Sequence, residues 1–228
     1  MVSLQSKNER RVCAVRALEQ ISHAAVRVTP PLSVSIIKEY GRDPFLLLIS
    51  CLLSLRAKDS KTLPIAQELF THARTPQEIL EIPLAQLEKL IYSIGFYKNK
   101  ARTLRCVSAD LIKRFGGRVP RTLPELLSIK GVGHKTANLI LGMAYGIPAI
   151  CVDVHVHRLA NMLGFVNTKT PLETEKELAA LLPKKYWITV NHALVALGQN
   201  PAAVIPRLSP DVAQKLYGLL PKKYRLQK

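Results

Sequence analysis

The sequence predicts an all-α protein, and three observations carry that prediction. Thr75-Pro76-Gln77-Glu78, Thr122-Leu123-Pro124-Glu125 and Thr170-Pro171-Leu172-Glu173 each set a threonine before a first turn containing proline, with a glutamate three residues on. Threonine accepts from orphan amides, proline tolerates the first turn, and glutamate completes a capping box, so each reads as a helix start. Apolar sets at helical spacing follow, Leu80, Leu84 and Leu87, or Leu178, Leu181 and Leu182. Against them stands a single strand-like alternation, PAICVDVHVH at 148–157, and one strand cannot make a sheet.

In chain order, the opening MVSLQSKNERRVCAVRALEQ lacks the continuous apolar run of a signal peptide and reads as an amphipathic helix. The longest apolar stretch, PFLLLISCLLSL at 44–55, is shorter than the about 20 residues a bilayer crossing needs, so no membrane partner is expected. Turn signals at Gly41-Arg42-Asp43-Pro44, Gly116-Gly117 and Gly146-Ile147-Pro148 punctuate the helices, and the last reads as a domain crossing. Ser209-Pro210-Asp211 is a fourth, weaker helix start. LLPKKY occurs at 181–186 and again at 219–224 without matching flanks, which reads as chance or local duplication, with paired basic contacts to a polyanion as the other reading.

A net charge of +17, from 33 basic against 16 acidic residues, attracts polyanions and points to a nucleic-acid partner. Cys13, Cys51, Cys106 and Cys151 are far apart and form no C-x-x-C pair, the pattern of buried free thiols in a reducing, intracellular compartment.

The stretch LLSIKGVGHKTANLILGMAYG, 126–146, places a lysine and two glycines between two helical runs. A dinucleotide fingerprint fails, because Thr136 replaces its third glycine and a helix precedes it. A P-loop fails too, since His134 separates Gly133 from Lys135. What remains is a helix-hairpin-helix, in which Gly131 and Gly133 allow a tight turn and amides at a helix N-terminus meet a phosphate. Between Phe96 and Lys135 lie ten lysines or arginines against Asp110 and Glu125 alone, which suits a DNA backbone.

LLSLRAKD (52–59), IGFYKNKA (94–101), GVGHKTAN (131–138) and VDVHVHR (152–158), in this order, resemble endonuclease III of the helix-hairpin-helix-GPD DNA glycosylase superfamily. The resemblance implies two helical domains with the active site in the cleft between them. A six-helix barrel would span 36–146, with the hairpin at about 122–146, and 1–35 with 147–228 would form a discontinuous second domain. It implies a bifunctional DNA glycosylase and abasic-site lyase that excises oxidised pyrimidines in base-excision repair. Damaged or abasic duplex DNA would be the partner of a monomer, in the cytoplasm or nucleoid if the source is bacterial. A non-catalytic DNA-binding module, or a monofunctional or mismatch-directed glycosylase, are the alternatives.

Lys135 would be the Schiff-base nucleophile, favoured as a neutral amine by a helix N-terminus in basic surroundings. Asp153, 18 residues on, would stabilise developing oxocarbenium charge and help remove the proton; alone it would read as a helix N-cap. His155 would hydrogen-bond within the site wall, and no metal site is expected from the His155-x-His157 pair. Gly131, Val132, Gly133, His134, Lys98 and Lys100 would contact DNA. Arg56 stands where the family carries a gap-filling glutamine, and Phe96 where it carries an aliphatic wedge. The family usually binds a 4Fe-4S cluster through four C-terminal cysteines; 197–228 contains none, so no cofactor is expected. Val212, Leu216 and Leu219 would replace the cluster by packing, and Lys222, Lys223, Arg225 and Lys228 would contact phosphate.

Overall fold

The computed structural model describes residues 7–220, in which every regular element is a helix. The basic residues from Lys222 onward, with most of the second LLPKKY copy, lie outside the described residues. The chain forms two compact units, one of Leu32–Ile147 and the other of the chain up to Pro31 together with that from Pro148.

The continuous unit holds α2 (Leu32–Tyr40), α3 (Pro44–Ser54), α4 (Asp59–His72), α5 (Pro76–Glu81), α6 (Leu84–Leu90), α7 (Tyr97–Phe115), α8 (Leu123–Leu127) and α9 (His134–Met143). Its centre is α3, buried at every position from Phe45 to Leu53, as a helix apolar all round must be. Asp43 caps it, accepting from the amides of Phe45 and Leu46 at 2.8 and 2.9 Å. Residues 32–35 belong here rather than to the other unit, because Asp59 at the start of α4 accepts from the Leu32 amide at 3.0 Å and α2 packs on α3 and α4. The expected stripe of Leu80, Leu84 and Leu87 is broken by Pro83, which starts α6. Ile79, Ile82 and Leu87 are the buried residues instead, while Leu84 is exposed. Helix α7 ends at Gly116, φ 60°, where the Gly117 amide reaches back to the Leu111 carbonyl at 3.0 Å, a Schellman closure.

The discontinuous unit holds α1 (Lys7–Ala25), α10 (Val154–Met162), α11 (Pro171–Leu181), α12 (Trp187–Gln199), α13 (Pro201–Val204) and α14 (Pro210–Leu216). On α1, Ala14, Ala17, Leu18, Ile21 and Ala24 form one buried face, the i, i+3, i+4 spacing of an amphipathic helix. It packs on α12, which also carries α10. The strand-like PAICVDVHVH forms no strand: 148–153 carry no regular structure and lead into α10, which takes in 154–157. In the C-terminal stretch Val212, Leu216 and Leu220 join this core, with Leu219 packed against it.

Threonine caps stand where the cap chemistry puts them. Thr75, Thr122 and Thr170 accept from the amides of Glu78, Glu125 and Glu173, and Thr75 with Glu78 completes a reciprocal box. Of the four cysteines Cys51 and Cys151 are buried, but Cys13 and Cys106 are exposed, because they sit on the solvent faces of α1 and α7. No helix among the described residues is long and apolar enough to cross a membrane.

Candidate active site

The hairpin of the continuous unit is built from α8, a six-residue turn and α9, and the two helices pack on each other. Its two glycines differ in role. Gly131 has φ +99°, and a Cβ there would stand 3.0 Å from the Thr103 methyl of α7, so both conformation and space require glycine. Gly133 has φ −98° with open space around it. As the N-cap of α9 it has no side chain to cap the first amides, which suits a helix N-terminus that accepts an anion. Val132 does not fit the expected DNA contact: its side chain is buried and its amide donates to the Ile129 carbonyl at 3.0 Å, anchoring the turn. His134 and Lys135, the first two residues of α9, are exposed.

Cys51, on α3, lies close enough to Lys135 to feel its charge. Burial pushes the Cys51 thiol up to about 12, the Lys135 ammonium draws it back only in part, and Asp59 raises it further. A buried thiol so hard to ionise is no nucleophile, whereas the neighbouring lysine reaches solvent.

Arg56 and Phe96 share an unexpected property. They are the non-glycine residues with positive φ among those described, 55° and 63°. Leu55, with φ −56° and ψ 119°, precedes Arg56, and the Ala57 amide donates to the Ser54 carbonyl at 3.0 Å. That is a type II turn with arginine where glycine is ordinarily required. Phe96 is the left-handed N-cap of α7 and 61% exposed, although Gly95 stands one position earlier. Left-handed backbone costs a side-chain-bearing residue roughly 1–2 kcal/mol. The two exposed side chains meet, the Arg56 guanidinium 6.0 Å from the Phe96 ring centroid.

The basic stretch is less uniformly available than its composition implies. Lys98 is exposed in the first turn of α7. Lys100 is buried, and its amine donates to the Leu53 carbonyl at 2.7 Å, so the expected DNA contact by its side chain is corrected. Burial lowers its pKa. Arg105 is bound to the Leu80 and Ile82 carbonyls, and Arg114 to Asp110 and Ser128.

In the discontinuous unit, Asp153 is the N-cap of α10, its Oδ1 accepting from the amides of His155 and Val156 at 2.9 Å each. Asn191, buried on α12, donates to the Cys151 carbonyl at 3.0 Å and so fixes the lead into Asp153. Sequence reading missed it; a lone asparagine among the apolar residues of WITVNHALVALGQ was the available signal. The expected hydrogen bond of His155 is absent for Nδ1, which is buried without a partner among the described residues. The ring packs against Gly198, where a Cβ would come within 2.2 Å of it. His157 bonds the Thr174 hydroxyl through Nδ1 at 2.7 Å and braces α10 to α11.

Helices throughout the described residues, a glycine hairpin, an exposed lysine at its helix start and a net charge of +17 define a DNA-binding protein of the helix-hairpin-helix class. The family described as HhH-GPD superfamily base excision DNA repair protein matches residues 49–184. Endonuclease III of Thermotoga maritima is 43% identical over 74% of this chain and 82% of its own length. Endonuclease III of Bacillus subtilis is 39% identical over 69% of this chain and 72% of its own. A solved structure described as a trapped endonuclease III-DNA covalent intermediate, an estranged-adenine complex, superposes with a TM-score of 0.74 at 36% identity, covering 86% of this chain and 87% of that one. The chain belongs to the HhH-GPD superfamily. It is an endonuclease III-like member, a DNA glycosylase of base-excision repair.

Proposed function

We propose that the protein excises oxidised pyrimidines from duplex DNA and then nicks the abasic strand, with Lys135 as nucleophile. The observation that carries this reading is the exposed lysine in the first turn of α9, directly after an uncapped, glycine-lined hairpin. A relative 36% identical has been trapped as a covalent intermediate with DNA, which requires a nucleophile. The Cys51 thiol, buried and with its pKa pushed up by that burial, does not suit that part.

In the proposed reaction the Lys135 amine attacks C1′ of the damaged nucleoside as the C1′–base bond breaks. Asp153 stabilises the positive charge that develops on the sugar and takes up the proton the amine gives away. Ring opening leaves an iminium between Nζ and C1′, which draws electrons from C2′. Loss of a C2′ proton then expels the 3′ phosphate by β-elimination, and water frees the lysine.

His134, the amides at the α9 start, Gly131, Gly133 and Lys98 hold the backbone. Arg56 and Phe96 enter the stack as the nucleotide leaves; their left-handed corners fit that part, because strained non-glycine residues persist where function holds them. The chain acts as a monomer without a cofactor. A family-type cluster needs four thiolates, yet 197–228 contains no cysteine, and the four present divide as Cys51 and Cys106 in one unit and Cys13 and Cys151 in the other.

The test is a single-turnover panel of duplexes, each with one lesion, scored separately for base release and strand scission. Release followed by scission at an oxidised pyrimidine is expected. Release without scission makes the protein monofunctional, and binding without release makes it a binding module.

A further inference from the structure

We propose that Lys100 is a positioning residue whose buried amine holds Arg56 and Phe96 in register as one two-residue probe; this rests on the reading that those side chains enter the duplex. Lys100 is the point where the two strained corners are tied together. Its main-chain amide donates to the carbonyl of Phe96 at 3.0 Å, and its Nζ donates to the carbonyl of Leu53 at 2.7 Å, in the last turn of α3 just before the Arg56 turn. One residue therefore fixes the end of α3 and the start of α7, and those two helices pack on each other.

The choice of residue is costly. Only 7% of Lys100 is exposed, and no carboxylate lies within ion-pair distance of its amine among the described residues. A buried ammonium with no counter-charge is penalised, and an apolar side chain of equal length would fill the space without that penalty. What the amine supplies is a directed bond to a helix C-terminus, where carbonyls lack intrahelical partners and the dipole favours a cation. The lowered pKa of Lys100 has desolvation as its cause, consistent with an amine held by geometry rather than by an opposite charge.

The corners explain the need. Two residues in left-handed backbone persist only where their surroundings over-determine them. The contact between the Arg56 guanidinium and the Phe96 ring supplies part of that restraint, but both side chains are exposed and must separate from solvent to enter a base stack. Lys100 restrains the main chain beneath them instead, so the pair keeps its spacing when its outer contacts change.

The experiment compares Lys100→Met, Phe96→Ala and the double variant on two substrates, a paired duplex with one lesion and a duplex with a preformed abasic site. Lys100→Met is expected to slow excision from the paired duplex about tenfold and to change abasic-site cleavage by less than about twofold. The double variant should be no slower than Phe96→Ala, because Lys100 acts through the probe. Multiplicative losses in the double variant, or equal losses on both substrates, overturn the proposal. A normal rate for Phe96→Ala on paired duplex overturns the probe reading itself, whereas a slow Phe96→Ala beside a normal Lys100→Met overturns only the role of Lys100. If Lys100→Met does not fold, adding Arg56→Gly and Phe96→Gly is expected to restore the folded circular-dichroism signal, since glycine removes the strain the amine restrains. Failure of that rescue overturns the proposal as well.

Discussion

Helices α5 and α7 pack on each other, yet their starts are built in opposite ways. At α5, Thr75 accepts from the Glu78 amide, and the Glu78 carboxylate accepts from the amides of Arg74 and Thr75 at 2.7 and 2.9 Å. At α7, Phe96 offers no side-chain cap, takes a left-handed φ of 63° and projects its ring into solvent. One start satisfies the backbone and the other presents a side chain. Phenylalanine has no advantage as a cap, and the glycine that would adopt this conformation freely is its neighbour Gly95. Stability has been conceded at the corners that carry Arg56 and Phe96 and retained at the threonine caps.

The sharpest break in that contrast is expected at Asp153, which is both a cap and the proposed carboxylate. Asparagine caps a helix as well as aspartate does, so Asp153→Asn should leave the melting temperature within about 2 °C. Base excision should fall by about 100-fold or more in single-turnover assays, the scale of a lost transition-state charge partner. An unchanged rate would reduce Asp153 to a cap.

Next in size is Phe96→Gly. Excision from paired duplex should slow about tenfold, since unstacking a base costs a few kcal/mol. Stability by denaturant should stay level or rise by up to about 1 kcal/mol, because glycine relieves the left-handed strain and offsets it with chain entropy. A loss of stability would mean that Phe96 is a packing residue.

Thr75→Ala should do the reverse, costing about 1 kcal/mol of stability and nothing in excision. The same box gives a pH signature. The Glu78 carboxyl is held below its ordinary value, first by the Arg74 amide. Its contribution is therefore full above the pH where an unfolded glutamate titrates, and is lost as pH falls through the lower folded value. Smallest is Lys98→Gln, which should reduce the slope of log K against log salt by about 0.9, one phosphate contact. An unaltered slope would remove Lys98 from the backbone contacts.

What the sequence disclosed follows the same division. Thr75, Thr122 and Thr170 were readable because capping is chemistry among residues three apart. The hairpin was readable because Gly131 must be glycine. Lys100 was misread, since its fate depends on a carbonyl 47 positions away in sequence, and charge composition counts a buried amine like an exposed one. The left-handed corners gave no signal at all: arginine and phenylalanine are not residues that announce positive φ. The break at Pro83 and the exposure of Cys13 and Cys106 were likewise settled by packing rather than by local pattern.

The central claim is that Lys135 is the nucleophile, and borohydride reduction during turnover tests it most directly. An imine between Nζ and C1′ becomes a stable amine on reduction, so the wild-type protein should form a covalent complex with abasic or oxidised-pyrimidine duplex on a denaturing gel. Lys135→Ala should bind the same duplex and give no such band. A variant that traps as well as the wild type would place the nucleophile elsewhere and contradict the assignment.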